Sequence, residues 1–262
     1  MKKKAQTAEI QAHKTGLNQA LLARHLFGGL QMIIEIGHEK GGVGKSTIAI
    51  NMAAYIAGSA QKPKVVLVDA DESRNASRWG ELRTHMNLPH HFTVVNQAID
   101  PTTNILKLSE VYDVVVVDVG AGDYVRLSEM SRIVDLWIAP TGVGQKDMDS
   151  NANIMEAFEQ ANHRHKNGKI PLVIAFNKTS TAQNSTEAKL AAKGLQEFAP
   201  DLKILKNVIC DRKVFRDADR EGKTIFEMPT RAREKAEAEF IAMADEALKA
   251  YAAFAKEAKR GH

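Results

Sequence analysis

Residues 36–50, IGHEKGGVGKSTIAI, set four glycines and two lysines between a β-branched run and a helical pattern. That spacing predicts a phosphate cradle. Gly41, Gly42 and Gly44 permit the positive φ angles that turn successive backbone N–H groups toward one anion, with Val43 between them, and the helix starting near Lys45 adds the positive end of its dipole. Lys45 is placed to reach the β and γ phosphates of a nucleotide as a point charge. Ser46 supplies a hydroxyl to the shell of a Mg²⁺ ion, and Thr47 neighbours the α phosphate. Against the common spacing G-x-x-x-x-G-K-[ST], the leading glycine is absent: Glu39 stands there, and a second lysine, Lys40, follows it.

Carboxylates appear where a Mg-nucleotide site needs them, at the ends of two apolar runs that read as buried parallel strands, VVLVDADE (65–72) and VVVVDVGAG (114–122). Asp118 closes four valines and is expected at the C-terminal edge of a central strand, holding the water shell of the metal. Asp69 and Asp71 form a D-x-D pair whose side chains are expected on opposite sides and in different jobs, with one of the two orienting the attacking water. Capping of strand ends or of following helices is the competing account for any one of these acids.

The form K-G-G-x-G-K-[ST] resembles the deviant Walker A motif of the ParA/MinD family of ATPases, and the resemblance extends over residues 32 to about 227. It implies that Lys40 reaches across a nucleotide-sandwich homodimer to the phosphates bound by the other subunit, and that the D-x-D pair belongs to the switch for the attacking water. The chain departs from the family's patterns twice. Glu72 follows Asp71 where relatives often read D-x-D-P-Q, and Val119, Gly120 and Ala121 follow Asp118 where they often read D-T-P-P-G. Gly120 and Gly122 retain the backbone freedom expected of a γ-phosphate sensor loop.

The strand LVIAFNKTS (172–180) bears on the base. Relatives that bind GTP often read N-K-x-D, whose aspartate accepts two guanine donors; here that position is Ser180, so ATP is the expected nucleotide, and the resemblance places Asn177 against the adenine edge.

Strands are predicted near 32–37, 64–69, 92–95, 113–119, 133–139, 170–176 and 203–209, with helical patterns between most of them. Such alternation predicts an α/β fold: a mostly parallel twisted sheet with helices on both faces, ligands gathering at the C-terminal strand edges. Residues 1–31 read as an extension, a flexible arm or a short helix over LLARHLFGGL (21–30), and residues 32–262 as one ATPase domain. Its last stretch is helical, with Phe240, Ala244, Ala247, Tyr251 and Phe254 forming a core-packing stripe. Cys210 reads as a small buried hydrophobe, and Trp79 and Trp137 as core. His85, His90, His91, His163 and His165 read as loop residues rather than metal ligands.

The chain has 262 residues, 44% hydrophobic and 26% charged, with a formal net charge of +4. A single cysteine excludes an internal disulfide and argues against a cluster shared between subunits by cysteine pairs. No stretch approaches the roughly 18–20 apolar residues of a membrane span, so a membrane partner is not expected and the predicted location is the cytoplasm, on the nucleoid. In CDRKVFRDADREGKTIFE (210–227), Arg212, Arg216 and Arg220 fall at helical i, i+4, i+8 spacing and, with Lys213, form a candidate for nonspecific DNA contact. Asp211, Asp217, Asp219 and Glu221 interleave with them, so an ion-paired solvent face is the rival account. The resulting expectation is a ParA-like switch partitioning plasmid or chromosomal DNA with a stimulating, ParB-like adaptor. The alternative is a MinD-like or cargo-positioning ATPase acting on a membrane or protein scaffold.

Overall fold

The computed structural model describes residues 31–97, 101–122, 124–163, 165, 170–181, 184–200 and 202–260. All but the last residue of the expected N-terminal extension lies outside them. The valine- and isoleucine-rich runs form seven strands: β1 (Met32–Ile36), β2 (Val65–Ala70), β3 (Thr93–Asn96), β4 (Val114–Val119), β5 (Leu136–Thr141), β6 (Leu172–Phe176) and β7 (Lys203–Ile204). Every pairing is parallel, in the order β3-β2-β4-β1-β5-β6-β7. β5 sits further along the chain than predicted. β7 keeps two of the seven predicted residues; beyond it the N–H groups of Leu205 and Ile209 still donate to Ile174 O and Phe176 O of β6, and Cys210 bridges to Thr179.

The helices are α1 (Lys45–Ala57), α2 (Asn75–His85), α3 (Pro101–Val111), α4 (Tyr124–Met130), α5 (Gln145–Asn162), α6 (Asn184–Phe198), α7 (Lys213–Arg220) and α8 (Thr230–Arg260), with a 3₁₀ turn at Ile225–Glu227. They cover both faces. Alternate residues of the central strands feed two cores: Ile34, Ile36 and Val116 join α1 and α8 on one side, while Ile33, Val115 and Val117 join α3, α4 and α5 on the other. Each such fully buried valine or isoleucine contributes about 1.5–3 kcal/mol relative to exposure. Phe240, Ala244 and Ala247 are buried and Tyr251 packs against the same core, so the C-terminal stripe is core packing as expected. Trp79 and Trp137 are buried too. Cys210 is buried, and its sulfur accepts from the Thr179 hydroxyl at 3.6 Å.

With every strand parallel, the loops after β1, β2, β4 and β6 emerge at one edge of the sheet. Register then sets the acids side by side, since Asp69 pairs with Asp118, and Ile36, the last residue before the glycine loop, also pairs with Asp118.

Candidate nucleotide site

The loop between β1 and α1 is shaped by what holds its carbonyls. Lys45 Nζ donates to Lys40 O at 3.1 Å, Lys178 Nζ to Gly42 O at 2.6 Å, and Asn177 Nδ2 to Val43 O at 2.7 Å. A trans peptide sets each C=O opposite to the next N–H, so pinning these three carbonyls turns the amides of Gly41, Val43 and Gly44 the other way, as a nest. Gly42 (φ 77°) and Gly44 (φ 93°) take the left-handed conformation this requires. Gly41 is not among the positive-φ glycines, contrary to expectation. A Cβ at Gly44 would stand 2.2 Å from Asn177 Nδ2, so that glycine is also required by close approach.

Asn177 is buried behind the loop and braces Val43, a job the sequence did not announce, whereas Lys178, at φ 55°, carries its ammonium to the cavity wall. The bond to Val43 uses one of the two amide N–H groups and leaves the second and the carbonyl oxygen for a base edge.

The loop opens on a cavity of about 700 Å³. Gly41, Gly42, Gly44, Lys45, Ser46 and Thr47 form one side, and Asp71, Ser73, Asn75, Arg78, Trp79 and Leu82 the facing side, with Ala121, Lys178 and Asp219 at the ends. Sequence reasoning found the first side and Asp71. It missed Ser73, Asn75, Arg78, Leu82 and Asp219, which the course of α2 and α7 brings in. The one available signal was that the D-x-D strand runs directly into a helix.

The two acids separate because β2 ends at Ala70: alternation would put residues two apart on one face, and Asp71 already lies beyond the strand. Asp69 is fully buried, and its carboxylate accepts from the N–H groups of Asp71 at 3.1 Å and Ser77 at 2.6 Å. It thereby caps α2, whose own N-cap residue Arg74 makes no side-chain cap. Asp71 is half-buried in the cavity wall, its Oδ1 accepting from Ser73 N–H at 2.8 Å. Of the two, Asp71 is thus placed for the attacking water and Asp69 is committed to the fold. The loop after β4 packs on this acid: a Cβ at Gly120 would lie 3.1 Å from Asp71 Oδ1. Gly122 N–H donates to Glu39 O at 2.8 Å, tying that loop to the phosphate cradle.

Asp118 is fully buried, and neither carboxylate oxygen has a hydrogen-bond partner among the described residues. Burial pushes its pKa up to about 7, opposed first by the nearby Ser46 hydroxyl and aided by Asp69 and Asp71. Burial also lowers the Lys45 ammonium from its ordinary value, while Asp118 and Asp71 resist the shift. An orphaned carboxylate beside a serine hydroxyl and two further acids is a donor set that fits Mg²⁺, which favours oxygen ligands. Ser46 and Asp118 are the residues that would hold the ion or its water shell. Lys40 stands at the mouth of the loop with Nζ 2.5 Å from Oδ1 of Asp147, a partner that the sequence did not announce.

The basic segment is arranged otherwise than its spacing predicted. Arg212 precedes α7 as its N-cap in extended conformation, off the helical face, and its guanidinium grips Glu239 of α8 at 2.5 and 2.9 Å. Lys213 pairs with Asp217 at 2.8 Å and Arg216 with Asp211 at 2.5 Å. Arg220 is exposed and carries no ion pair among the described residues. The shared three-arginine face is therefore absent, because the helix starts one residue too late to include Arg212.

The G-x-T-I-x-E stretch that follows is structural. Glu227 closes a capping box with Thr224 and pairs with the buried Arg83 at 2.7 Å. Among the histidines, His165 Nε2 lies 2.8 Å from Val134 O, His90 Nε2 contacts Thr84, and no cluster of three or more metal-type ligands occurs among the described residues. No helix of the described residues is long and apolar enough to cross a membrane.

Residues 34–225 match the CobQ/CobB/MinD/ParA nucleotide binding domain. Maintenance of carboxysome distribution protein A from Halothiobacillus neapolitanus is 26% identical over 208 residues, 78% of this chain and 91% of that protein. Among solved structures, the ATP complex of a Cyanothece McdA variant superposes with a TM-score of 0.63 at 16% identity, covering 86% of this chain and 97% of that one. The septum site-determining protein MinD of Pyrococcus horikoshii, complexed with Mg-ADP, gives 0.60 at 20% identity, covering 82% and 95%.

Proposed function

The chain belongs to the CobQ/CobB/MinD/ParA nucleotide-binding family, and from that premise we propose that it is an ATP-driven dimerisation switch that positions a large cargo within the cell. The observation that carries the switch is the second lysine. Lys45 already occupies the place of the phosphate lysine in its own cavity, while Lys40 lies outside the lining at the mouth, free of any role within that cavity. In the dimer of this reading it leaves its own subunit for the phosphates of a second copy.

In this reading ATP enters the cavity with its phosphates on the amides of Gly41 to Thr47. Bound Mg²⁺ would supply charge neutralisation on the β and γ phosphates. Lys45 and the partner's Lys40 place positive charge where the departing γ-phosphoryl group needs it, and Asp71 orients the water that attacks in line. The products are ADP and phosphate, and their formation separates the two subunits. In this reading turnover is slow, and an adaptor docking at the dimer stimulates it.

Two things support a cargo other than plasmid DNA. The relative from Halothiobacillus, nearly all of whose length is spanned, is named for carboxysome distribution. Three of the four cations offered for nonspecific DNA contact are neutralised by Glu239, Asp217 and Asp211. The adaptor in this reading belongs to that cargo and is not ParB-like. Deleting the gene tests it: a protein-bounded body should lose its spacing while plasmid retention stays at the parent level. Plasmid loss with normal spacing would reverse the assignment in favour of partition. In solution, the parent should dimerise with a slowly hydrolysed ATP analogue and Lys40→Ala should not.

A further inference from the structure

The Lys40 ammonium is held within its own subunit. Asp147, whose Oδ1 takes it at 2.5 Å, stands in the first turn of α5, and the backbone fixes its carboxylate: Gly144 N–H donates to Oδ2 at 3.2 Å, and a Cβ at Gly142 would come within 2.3 Å of that oxygen. Only a residue without a side chain at 142 leaves room for the carboxylate there. Both partners remain partly open to solvent, 30% for Lys40 and 20% for Asp147, so the pair can be exchanged rather than being locked in the core.

We propose that Asp147 is a latch: it holds Lys40 in its own subunit and sets the nucleotide threshold for dimerisation. The inference rests on the reading that Lys40 serves the second subunit's phosphates. One ammonium cannot contact Asp147 at this distance and a phosphate across the interface at once, so each subunit must open its latch before the dimer closes. A triphosphate carries more charge than one carboxylate and outcompetes it. Once the γ-phosphate has left, Asp147 recaptures the lysine and the dimer opens.

The arithmetic gives the size of the effect. A binding-competent state populated at a fraction f weakens apparent affinity by 1/f, and a partly exposed ion pair shifts such a population by a factor of about 3. Two latches per dimer multiply, giving about tenfold in the dimer dissociation constant.

The experiment is a double-mutant cycle on dimerisation, measured by sedimentation velocity with a slowly hydrolysed ATP analogue and with ADP. Asp147→Asn keeps the shape and the acceptor for Gly144 while removing the charge. It should tighten the ATP-analogue dimer by about tenfold, leave the monomer's nucleotide affinity unchanged, and slow dimer opening after hydrolysis. Asp147→Ala should move in the same direction. In a Lys40→Ala background Asp147→Asn should change nothing. If both Asp147 variants dimerise no better than the parent while Lys40→Ala fails to dimerise, the latch is wrong and the cross-subunit lysine stands. If Lys40→Ala dimerises as well as the parent, the cross-subunit reading falls and the latch with it.

Discussion

The edge of the sheet beneath the glycine loop and the corner where α7 meets α8 are both dense in charge, and they treat it in opposite ways. At the corner, Arg212, Lys213, Arg216 and Lys223 each meet a carboxylate within 3 Å, near solvent. Beneath the loop, Asp118 is buried with no hydrogen bond to either oxygen among the described residues, and the Lys45 ammonium is left on a backbone carbonyl. Neutralised surface pairs contribute little and need no ligand. Buried charge without a partner is costly, and it persists where a ligand repays it. The difference identifies which region is a site and which is scaffold, although composition alone makes the corner the more basic of the two.

The strongest way to break this comparison is Asp118→Ala. It should lower Mg-dependent ATP hydrolysis by about 10³-fold, with thermal stability equal to or above that of the parent, because an unpaired buried carboxyl is removed. A fall in melting temperature with activity retained would make Asp118 scaffold. Acid should act through the same residue. Protons compete with Mg²⁺ for a carboxylate held up to about 7, so Mg-nucleotide affinity should decline as pH falls below that value, and titration calorimetry at pH 6 and 8 reads it directly.

Next in size is the contrast between Asp69 and Asp71. Asp69→Ala should cost about 1–2 kcal/mol of stability through the lost cap on α2. Asp71→Ala should leave the unfolding free energy within about 0.5 kcal/mol of the parent and remove turnover. Exchange of these two phenotypes would reverse their roles.

Glu35 sharpens the rule, because it is a buried carboxyl of β1 outside the lining of the nucleotide cavity. Ser131 has one hydroxyl proton and two acceptors in reach, Leu127 O at 2.7 Å and Glu35 Oε2 at 3.0 Å. The shorter bond takes the proton, so a neutral Glu35 donates in return. Burial raises its pKa well above the ordinary carboxyl value. Its unfolded form ionises first, so stability is lost as pH rises above about 4.3, at up to about 1.4 kcal/mol per pH unit until Glu35 itself ionises. Glu35→Gln should therefore gain stability over the parent between pH 5 and 8 in denaturant titrations; a constant difference would mean that the buried form is charged.

The smallest effects belong to the corner. Arg216→Ala should change stability by less than about 1 kcal/mol and leave random-duplex binding unaltered. Arg220→Ala is the variant that would weaken such binding, with a shallower salt dependence, if the protein touches DNA there.

The fold and half of the site were legible from the chain. Strand runs, the glycine loop and the acids at strand ends are local patterns, and their periods and spacing survive folding unchanged. The bond from Asn177 to Val43 was not legible, since a residue after a strand looks the same whether or not it braces a loop. Asp147 and the α2 wall gave no such signal. They reach the site from elsewhere in the chain.

The sequence by itself determined an α/β nucleotide-binding fold, the cradle from Lys40 to Thr47, and the acids at the ends of β2 and β4, because each depends on residue type and spacing along one segment. Only the tertiary structure decided which acid faces the cavity, which cations are already spent, and that Lys40 is held by Asp147. Those outcomes depend on which strands are neighbours and where a helix starts, and a shift of one residue, as at Arg212, moves a charge from a shared face into an ion pair.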